Sequence, residues 1–413
     1  MTNEASPRKV SLEVTYNGNK LDEKIQKRIT SFTYTDIASG ASDSISITLE
    51  NIDKKWLNAW FPEKGSTITA KLIVKNWEKS GKKRTFNCGT FVIDDISFSG
   101  PPLVATIGAV AVPADTGFKA TKKSKTWEDV TIEQIASKIA EAAGIQFYYR
   151  APTIKISEIE QSKETDSSFL YSLCAKYGLA MKVYNKKLVI FNEEDYEREE
   201  RSYIAIDEKD METWNFNTTV DGTYTGVKLT YTKPSSNKTT SVTVGTTERL
   251  YEYDAQVDGQ YDAELQAKAK LRSENKKAKT MDMKIMAKEN IVASSVIKVT
   301  GLGKADGPYY VDQVKHNIGT GYTMSVSMHG FENDRNKRRT EQEKTYTVKG
   351  GDTLTDISQQ TYGTSVYWKD ILKANKQVIE STAKKHGYIS SDNGHWIFPE
   401  TRLAMPVVAM IKE

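Results

Sequence analysis

Histidine and cysteine are scarce in this chain, with four and two residues among 413. The histidines are His316, His329, His386 and His395, and no two of them stand at i, i+4. That spacing rules out the helix-borne zinc pattern, and no Cys/His cluster replaces it, so no metal site is expected. Cys88 and Cys174 lie far apart and neither belongs to a C-x-x-C. A disulfide framework is therefore not supported. Each reads as a small buried hydrophobe, Cys88 in a strand and Cys174 in an apolar helical stripe. No run approaches the ~18 apolar residues of a membrane helix. Met1-Thr-Asn-Glu-Ala-Ser-Pro-Arg8 has no apolar core and does not read as a signal peptide. Synthesis in the bacterial cytoplasm is expected, with exit by another route such as a particle released by lysis. Neither sign of charge dominates, since 58 basic and 54 acidic residues leave +4. Specific nucleic-acid binding is accordingly not expected.

Chemistry-bearing motifs are also missing. There is no G-x-S-x-G and no P-loop. Gly301-Leu-Gly303 is too short for a phosphate loop and reads as a strand turn. Carboxylates do stand side by side, for example Asp94-Asp95 and Glu193-Glu194-Asp195. A glycosidase needs two carboxylates that converge, whereas neighbours on a strand point to opposite faces. Asp94-Asp95 are expected to flank a strand bend, and the Glu193 run to be solvated surface. His316 reads as a satisfied structural imidazole at the end of a strand. No catalytic residue and no cofactor follow from these patterns.

What is present is β periodicity, with 38% hydrophobic residues, a mean hydropathy of −0.56 and enough length for two to four domains. Val10, Leu12, Val14 and Tyr16 alternate before the Asn17-Gly18 turn. The alternation continues through Phe32 and Tyr34, Ile45 to Leu49, Ile68 to Val74 and Phe91 to Ile96. Gly100-Pro-Pro102 then breaks it before Val104 to Ala109. The spacing predicts a barrel or sandwich. Ile132, Ile135, Ala136, Ile139 and Ala143 next mark a helix, with Thr131 and Gln134 as a capping box and Gly144 as its stop. A second helix carries Phe169, Leu170, Leu173, Cys174 and Tyr177, opened by Asp166 or Ser167 and closed by Gly178. A hairpin turns at Asn185-Lys186. Strands return from Trp214 to about Met328 and are expected to form a second barrel. A helix interrupts them from Tyr261 to Asn275, with Ala263, Leu265, Ala267 and Leu271 available to its buried side. The polar run Glu332 to Lys344 reads as a solvated linker. Tyrosine and tryptophan are plentiful, at 21 and 7 residues. Trp56, Trp60 and Trp77 are expected in the core, and Trp368 and Trp396 are better placed for contacts.

The C-terminal stretch has its own pattern: Tyr346-Thr-Val-Lys-Gly-Gly-Asp-Thr-Leu354, then Trp368, Ile371 and Ala374-Asn375, then Trp396-Ile-Phe-Pro399 and Leu403-Ala-Met-Pro406. It resembles a LysM module, a small β-α-α-β domain of proteins that contact cell-wall glycan. By position, the resemblance implicates Gly351, Asp352, Thr353, Leu354, Asn375 and Ile397 in glycan binding. The segment departs from the pattern in a long insertion, Lys376 to Asn393, and in Pro399-Glu400 where Pro-Gly is usual. Two roles stay open for it: wall binding, or an assembly clip within a larger particle.

The body of the chain resembles the late control protein D family, the hubs of contractile phage tails and related injection particles. The resemblance rests on fragments in shared order. The first are Asp43-Ser-Ile-Ser-Ile-Thr-Leu49 with Pro62-Glu-Lys-Gly65, and Gly89-Thr-Phe-Val-Ile-Asp-Asp-Ile96 with Ser99-Gly-Pro-Pro102 and Ala105-Thr-Ile-Gly-Ala109. Thr126-Trp-Glu-Asp-Val-Thr-Ile-Glu-Gln-Ile135 with Gly144-Ile145, Asp166-Ser-Ser-Phe-Leu170 with Ala175-Lys-Tyr-Gly178, and Lys187-Leu-Val-Ile-Phe191 follow. Gly307-Pro-Tyr-Tyr-Val-Asp-Gln-Val-Lys-His316 and Tyr322-Thr-Met-Ser-Val-Ser-Met328 close the series. The resemblance implies a mainly β (α+β) protein in five parts. These are a first β-barrel hub domain (1–115), a helical α+β insert (116–200), a second β-barrel hub domain (201–331), a charged linker (332–344) and the LysM-like module (345–408). It also implies a non-enzymatic structural hub of a phage tail or bacteriocin-like particle, located at the baseplate. Such a hub is a homotrimer whose two barrels per subunit match a six-fold tail tube on one side and a three-fold central spike on the other. Tube, spike and baseplate wedge proteins are the implied partners, with the tape measure protein and peptidoglycan as further candidates and no membrane insertion. The competing reading is a peptidoglycan-degrading tail hydrolase anchored by LysM. A wall-binding adhesin leaves the first 330 residues unexplained.

Overall fold

The computed structural model describes residues 7–77, 80–111, 117–198, 203–232, 238–288, 290–331, 345–362 and 365–405. Linker 332–344 and residues 406–408 of the C-terminal module lie outside them. By compactness the chain forms two units, Met1–Thr223 with Asn275–Phe331, and Tyr224–Glu274 with Glu332–Glu413.

The first unit opens with β1 (Lys9–Tyr16) and β2 (Asn19–Lys20). Asn17 and Gly18 between them have φ of 46° and 80°, as a two-residue type I′ turn requires. The short helix α1 (Glu23–Gln26) follows, then β3 (Ile29–Ile37), β4 (Ser44–Glu50), β5 (Thr67–Lys75), β6 (Lys83–Ser99) and β7 (Val104–Val110). Alternation decides their inner face: Ile45, Ile47 and Leu49 of β4 and Ala105, Ile107 and Ala109 of β7 are all buried. The expected bend at Asp94-Asp95 is a register shift between Ile93 and Asp95 in the β6–β7 pairing. Trp56 is buried, and Trp60 and Trp77 pack half-buried against the same core.

The insert contains α2 (Gly117–Ala120), β8 (Lys122–Thr131), α3 (Ile132–Ala142), β9 (Gln146–Arg150), β10 (Lys155–Thr165) and α4 (Asp166–Lys176). It ends with β11 (Leu179–Tyr184), β12 (Lys187–Asn192) and α5 (Glu193–Arg198). β8 and β10 form a ribbon, and β11, β12 and β9 a small sheet in which β9 runs parallel to β12. Thr131 and Gln134 cap α3 reciprocally at 2.8 and 3.1 Å. Two expectations are corrected here. The N-cap of α4 is Thr165, whose hydroxyl accepts from Ser168 N at 3.2 Å. Asp166 is instead buried and accepts from Lys123 Nζ at 2.5 Å and Gln161 Nε2 at 2.9 Å. The Glu193 run is not solvated surface but the helix α5, with Glu193 and Glu197 buried. One helical turn apart, they share a face, and Lys276 neutralises Glu193 at 2.6 Å.

The chain then supplies β13 (Ile204–Asp207) and β14 (Met211–Thr218) to this unit. It leaves for β15 (Gly226–Thr232), β16 (Thr239–Gly245), β17 (Leu250–Asp254) and α6 (Gln260–Asn275). It returns with β18 (Lys279–Met286), β19 (Val296–Thr300), β20 (Gly307–Ile318) and β21 (Tyr322–Gly330). One 13-stranded sheet results, in the order β14-β18-β21-β20-β3-β4-β7-β6-β5-β1-β2, with β19 pairing β20 and β13 pairing β19. Strands from the early and late β regions are thus continuous, joined where Gln313–Ile318 of β20 run antiparallel to Phe32–Ile37 of β3.

In the second unit, β16-β15-β17 and α6 enclose a core of Val227, Leu229, Tyr231, Val257, Ala263 and Ala267. The stretch expected as one domain, 201–331, therefore contributes to both units. Leu265 and Leu271 of α6 are only half-buried, because the fully buried side of that helix carries Ala263, Gln266, Ala267 and Ala269. The C-terminal module is β22 (Thr345–Thr347), α7 (Leu354–Tyr362), α8 (Trp368–Lys385) and β23 (Arg402–Ala404), with β22 antiparallel to β23. The first part of the Lys376–Asn393 insertion is not loop but a continuation of α8, whose Ile379 and Ala383 reach the core.

Candidate functional site

The six residues named for glycan binding occupy three places in the C-terminal module. Gly351 to Leu354 form the turn into α7. Gly351 is exposed with φ +89°, a conformation that favours glycine. Asp352 accepts from Tyr346 Oη at 2.9 Å and Lys349 N at 2.8 Å. Burial, followed by the Asp352 carboxylate, raises the Tyr346 phenol above its ordinary range. The Thr353 hydroxyl accepts from Asp356 N at 3.1 Å, capping α7. Leu354 is buried in the module core and Ile397 packs against that core. Asn375 is buried: its amide donates to Ile371 O at 2.8 Å and Ala404 O at 2.7 Å and accepts from Ala404 N at 2.7 Å. It pins α8 to β23. The side chains of the five residues other than Gly351 thus serve the module's own structure.

The more exposed chemistry lies beside them. Trp368 packs half-buried on the core, while Trp396 is 38% exposed. Trp396 belongs to a run of rings that the sequence reading did not assemble. His386 stacks on Phe398 at 4.0 Å and 7°, and Phe398 meets Tyr388 at 5.6 Å. Tyr388 meets Trp396 at 4.6 Å, and Trp396 meets His395 at 4.8 Å. The signal available in the sequence was three aromatics, Tyr388, Trp396 and Phe398, bracketing the turn Ser390-Ser-Asp-Asn-Gly394.

A second polar cluster is buried in the first unit. Lys182 of β11 pairs with Asp36 and lies 3.3 Å from Asp43. Asp43 accepts from Tyr34 Oη at 2.9 Å and Ile37 N at 3.2 Å, and Asp36 from Ala293 N at 2.8 Å. Burial pushes Asp43 up to about 6 even though Lys182 opposes it. Burial would lower the Lys182 ammonium, but Asp36 and Asp43 overcome that and its pKa rises. His316 lies within β20, with Nδ1 2.8 Å from Tyr322 Oη and its ring packed against both Tyr34 and Phe86. Its Nε2 is buried with no partner, so it is only half satisfied, and burial lowers its pKa to about 4. His329 pairs with Asp312 at 2.8 Å. Among the described residues no group of three His, Cys, Asp or Glu is placed to hold a metal, and no helix is long and apolar enough to cross a membrane.

Comparison with known proteins places these features. A family model described as phage tail baseplate hub (GPD) matches residues 93–322, and a LysM domain model matches residues 346–382. The chain is 28% identical over 178 residues to a probable baseplate hub protein of Escherichia phage 186, covering 43% of each chain. It is 28% identical over 212 residues to a probable baseplate hub protein of Escherichia phage P2, covering 49% of this chain and 51% of that one. The aligned part is thus about half the length of these curated relatives. In fold it is similar to the 43 kDa tail protein of prophage MuSo2 from Shewanella oneidensis, with a TM-score of 0.59, 12% identity, and coverage of 78% of this chain and 98% of that one. The hub match takes in more than half of the sequence, and it includes β20, which joins the two β regions: this chain belongs to the phage tail baseplate hub (GPD) family and carries a C-terminal LysM domain.

Proposed function

We propose that this chain is the structural hub of a phage tail or tail-like contractile injection particle, acting as a homotrimer between the six-fold tail tube and the three-fold central spike. The observation that carries this reading is the β20–β3 seam, which joins two β regions into one sheet within each subunit. Three copies, each bearing two such regions, offer six units to a tube and three to a spike. A closed ring of this kind satisfies its own interfaces. Tube, spike and wedge proteins are its proposed partners, with the tape measure protein as a further one. The carboxylates first considered for hydrolysis have other settings: Asp94 and Asp95 sit at the register shift that follows Ile93, and Glu193 is paired with Lys276. In this reading the LysM domain lets the particle touch the wall of its target cell, supported by the solvent-facing rings of its C-terminal loop. Native mass spectrometry of the purified full chain tests the assembly. Three copies are expected, and a strict monomer at micromolar concentration contradicts it.

A further inference from the structure

We infer that the open edge of β1 is a docking site for an extended, acidic segment of a partner protein, which joins the large sheet as an added strand. The inference does not depend on how many copies of the chain stand in the particle.

The sheet is unfinished at this place. β1 pairs along its whole length with β5, but on its other side only Thr15 and Tyr16 are paired, with β2. Among the described residues no strand pairs with Lys9 to Glu13 from that side. The start of β3 is open in the same way, since β4 takes Ile29 and Ser31 while β20 reaches only as far as Phe32. Two hollows lie along these edges. One, of about 580 Å³, is lined by Arg8, Lys9, Val10 and Ser11 together with Trp77 and the Gly319–Gly321 turn. The other, of about 300 Å³, is lined by Leu12 of β1 and by Ile29 to Phe32 of β3, and the two share Gly319. Successive residues of a strand face opposite ways. A hollow that touches Lys9, Val10 and Ser11 in turn therefore follows the edge of β1 and not one of its faces. The free N–H and C=O groups of such an edge are a template for another chain.

Charge selects the occupant. Lys9 of β1, Lys75 of β5 and Lys83 of β6 stand directly opposite one another across three strands. Like charges in that arrangement repel. Edge strands are often blunted with a lysine, but this row extends to Lys75 on the interior strand β5. All three are exposed, as is Arg8, and none of the four has a carboxylate partner among the described residues. Arg8 is held over the Trp77 ring, 5.7 Å from its centre. At the other hollow Glu23 and Lys27 neutralise each other at 2.9 Å, and Leu12 and Ile29 offer apolar contact. The fitting segment thus carries carboxylates at the end beside Lys9 and apolar side chains at the end beside Leu12. A nucleic acid is less well matched, because its phosphates accept hydrogen bonds but do not donate them, and the edge carbonyls would stay unpaired.

The test uses the full chain and a fluorescent peptide of about ten residues, in which glutamates lead into alternating valines and threonines. Anisotropy should report binding, and amide exchange of Lys9 to Glu13 should slow when the peptide is present. Lys9→Glu with Lys75→Glu should weaken binding about ten-fold or more, and unchanged thermal unfolding of this variant shows that the sheet survives. The same peptide with every backbone nitrogen methylated keeps its charge but has no N–H to donate, and it should not bind. Equal binding by the methylated peptide, or equal competition by single-stranded DNA of the same length, would reduce the groove to a general anion site and overturn strand docking. Failure of the acidic peptide to bind, or binding that leaves β1 unprotected, overturns it as well.

Discussion

The ammonium of Lys182 lies 3.3 Å from a carboxylate oxygen of Asp43, although 139 positions separate them in the chain. Asp36 completes the cluster and also takes the backbone N–H of Ala293. One lysine of the insert therefore ties together the early strands, through β3 and the entrance to β4, and the late β region. All three side chains are largely withdrawn from water, at 14%, 5% and 1% exposure. Removing one partner of such a cluster is costly, because it leaves uncompensated charge out of water.

Lys182→Met should accordingly leave two carboxylates facing each other out of water. We expect a loss of about 3–5 kcal/mol, read as a lower urea midpoint of the first unit. Adding Asp43→Asn should restore part of it. An unchanged midpoint for the single variant would show that the triad contributes nothing.

His316 makes the acid side of the stability profile sensitive to one ring. Its folded pKa is about 4, against about 6.5 when unfolded. Between these values the unfolded chain takes up the proton and the folded chain does not. The contribution is intact above about pH 6.5 and is lost as pH falls through 4, roughly 3 kcal/mol in all. Asp43, raised to about 6, acts in the opposite sense, since its folded form takes up a proton first. Comparison with His316→Gln isolates the histidine. The variant should gain roughly 3 kcal/mol relative to the unaltered chain between pH 7 and pH 4.

Cys88 and Cys174 should be silent towards a thiol reagent in the native protein. Both are buried, and burial raises Cys88 well above its ordinary range and Cys174 to about 12. Reaction of both thiols should appear only on unfolding, because the thiolate is the reactive form. Prompt native labelling at either site would contradict the packing described.

Asn375→Ala removes two hydrogen bonds across the α8–β23 junction and one within α8, and takes the side-chain partner from both backbone groups of Ala404. A cost of roughly 3 kcal/mol is expected, confined to the C-terminal module. Hydrogen exchange should quicken in β22 and β23 and stay unchanged in the 13-stranded sheet.

Local chemistry was readable in advance. The Thr131–Gln134 box, the Asn17-Gly18 and Asn185-Lys186 turns and the alternation of Ile45, Ile47 and Leu49 each depend on residues within a few positions of one another. The Lys182–Asp36–Asp43 cluster does not, and no local pattern announces it. The same limit hid the two-unit division, because Val227, Leu229 and Tyr231 alternate like any strand of the large sheet. It also hid the ring series, whose members come from both sides of a turn. Position in a family pattern placed all six expected glycan residues in the C-terminal module. It could not separate Asn375 and Leu354, which hold that module together, from the solvent-facing Tyr388 and Trp396.

The central claim is best tested by cryo-electron microscopy of particles assembled with this chain. The account predicts three copies at the end of the tail tube, each placing both of its β regions in the ring beneath the tube and above the spike. Six copies, or a position on the outer wedges away from the tube axis, would contradict it.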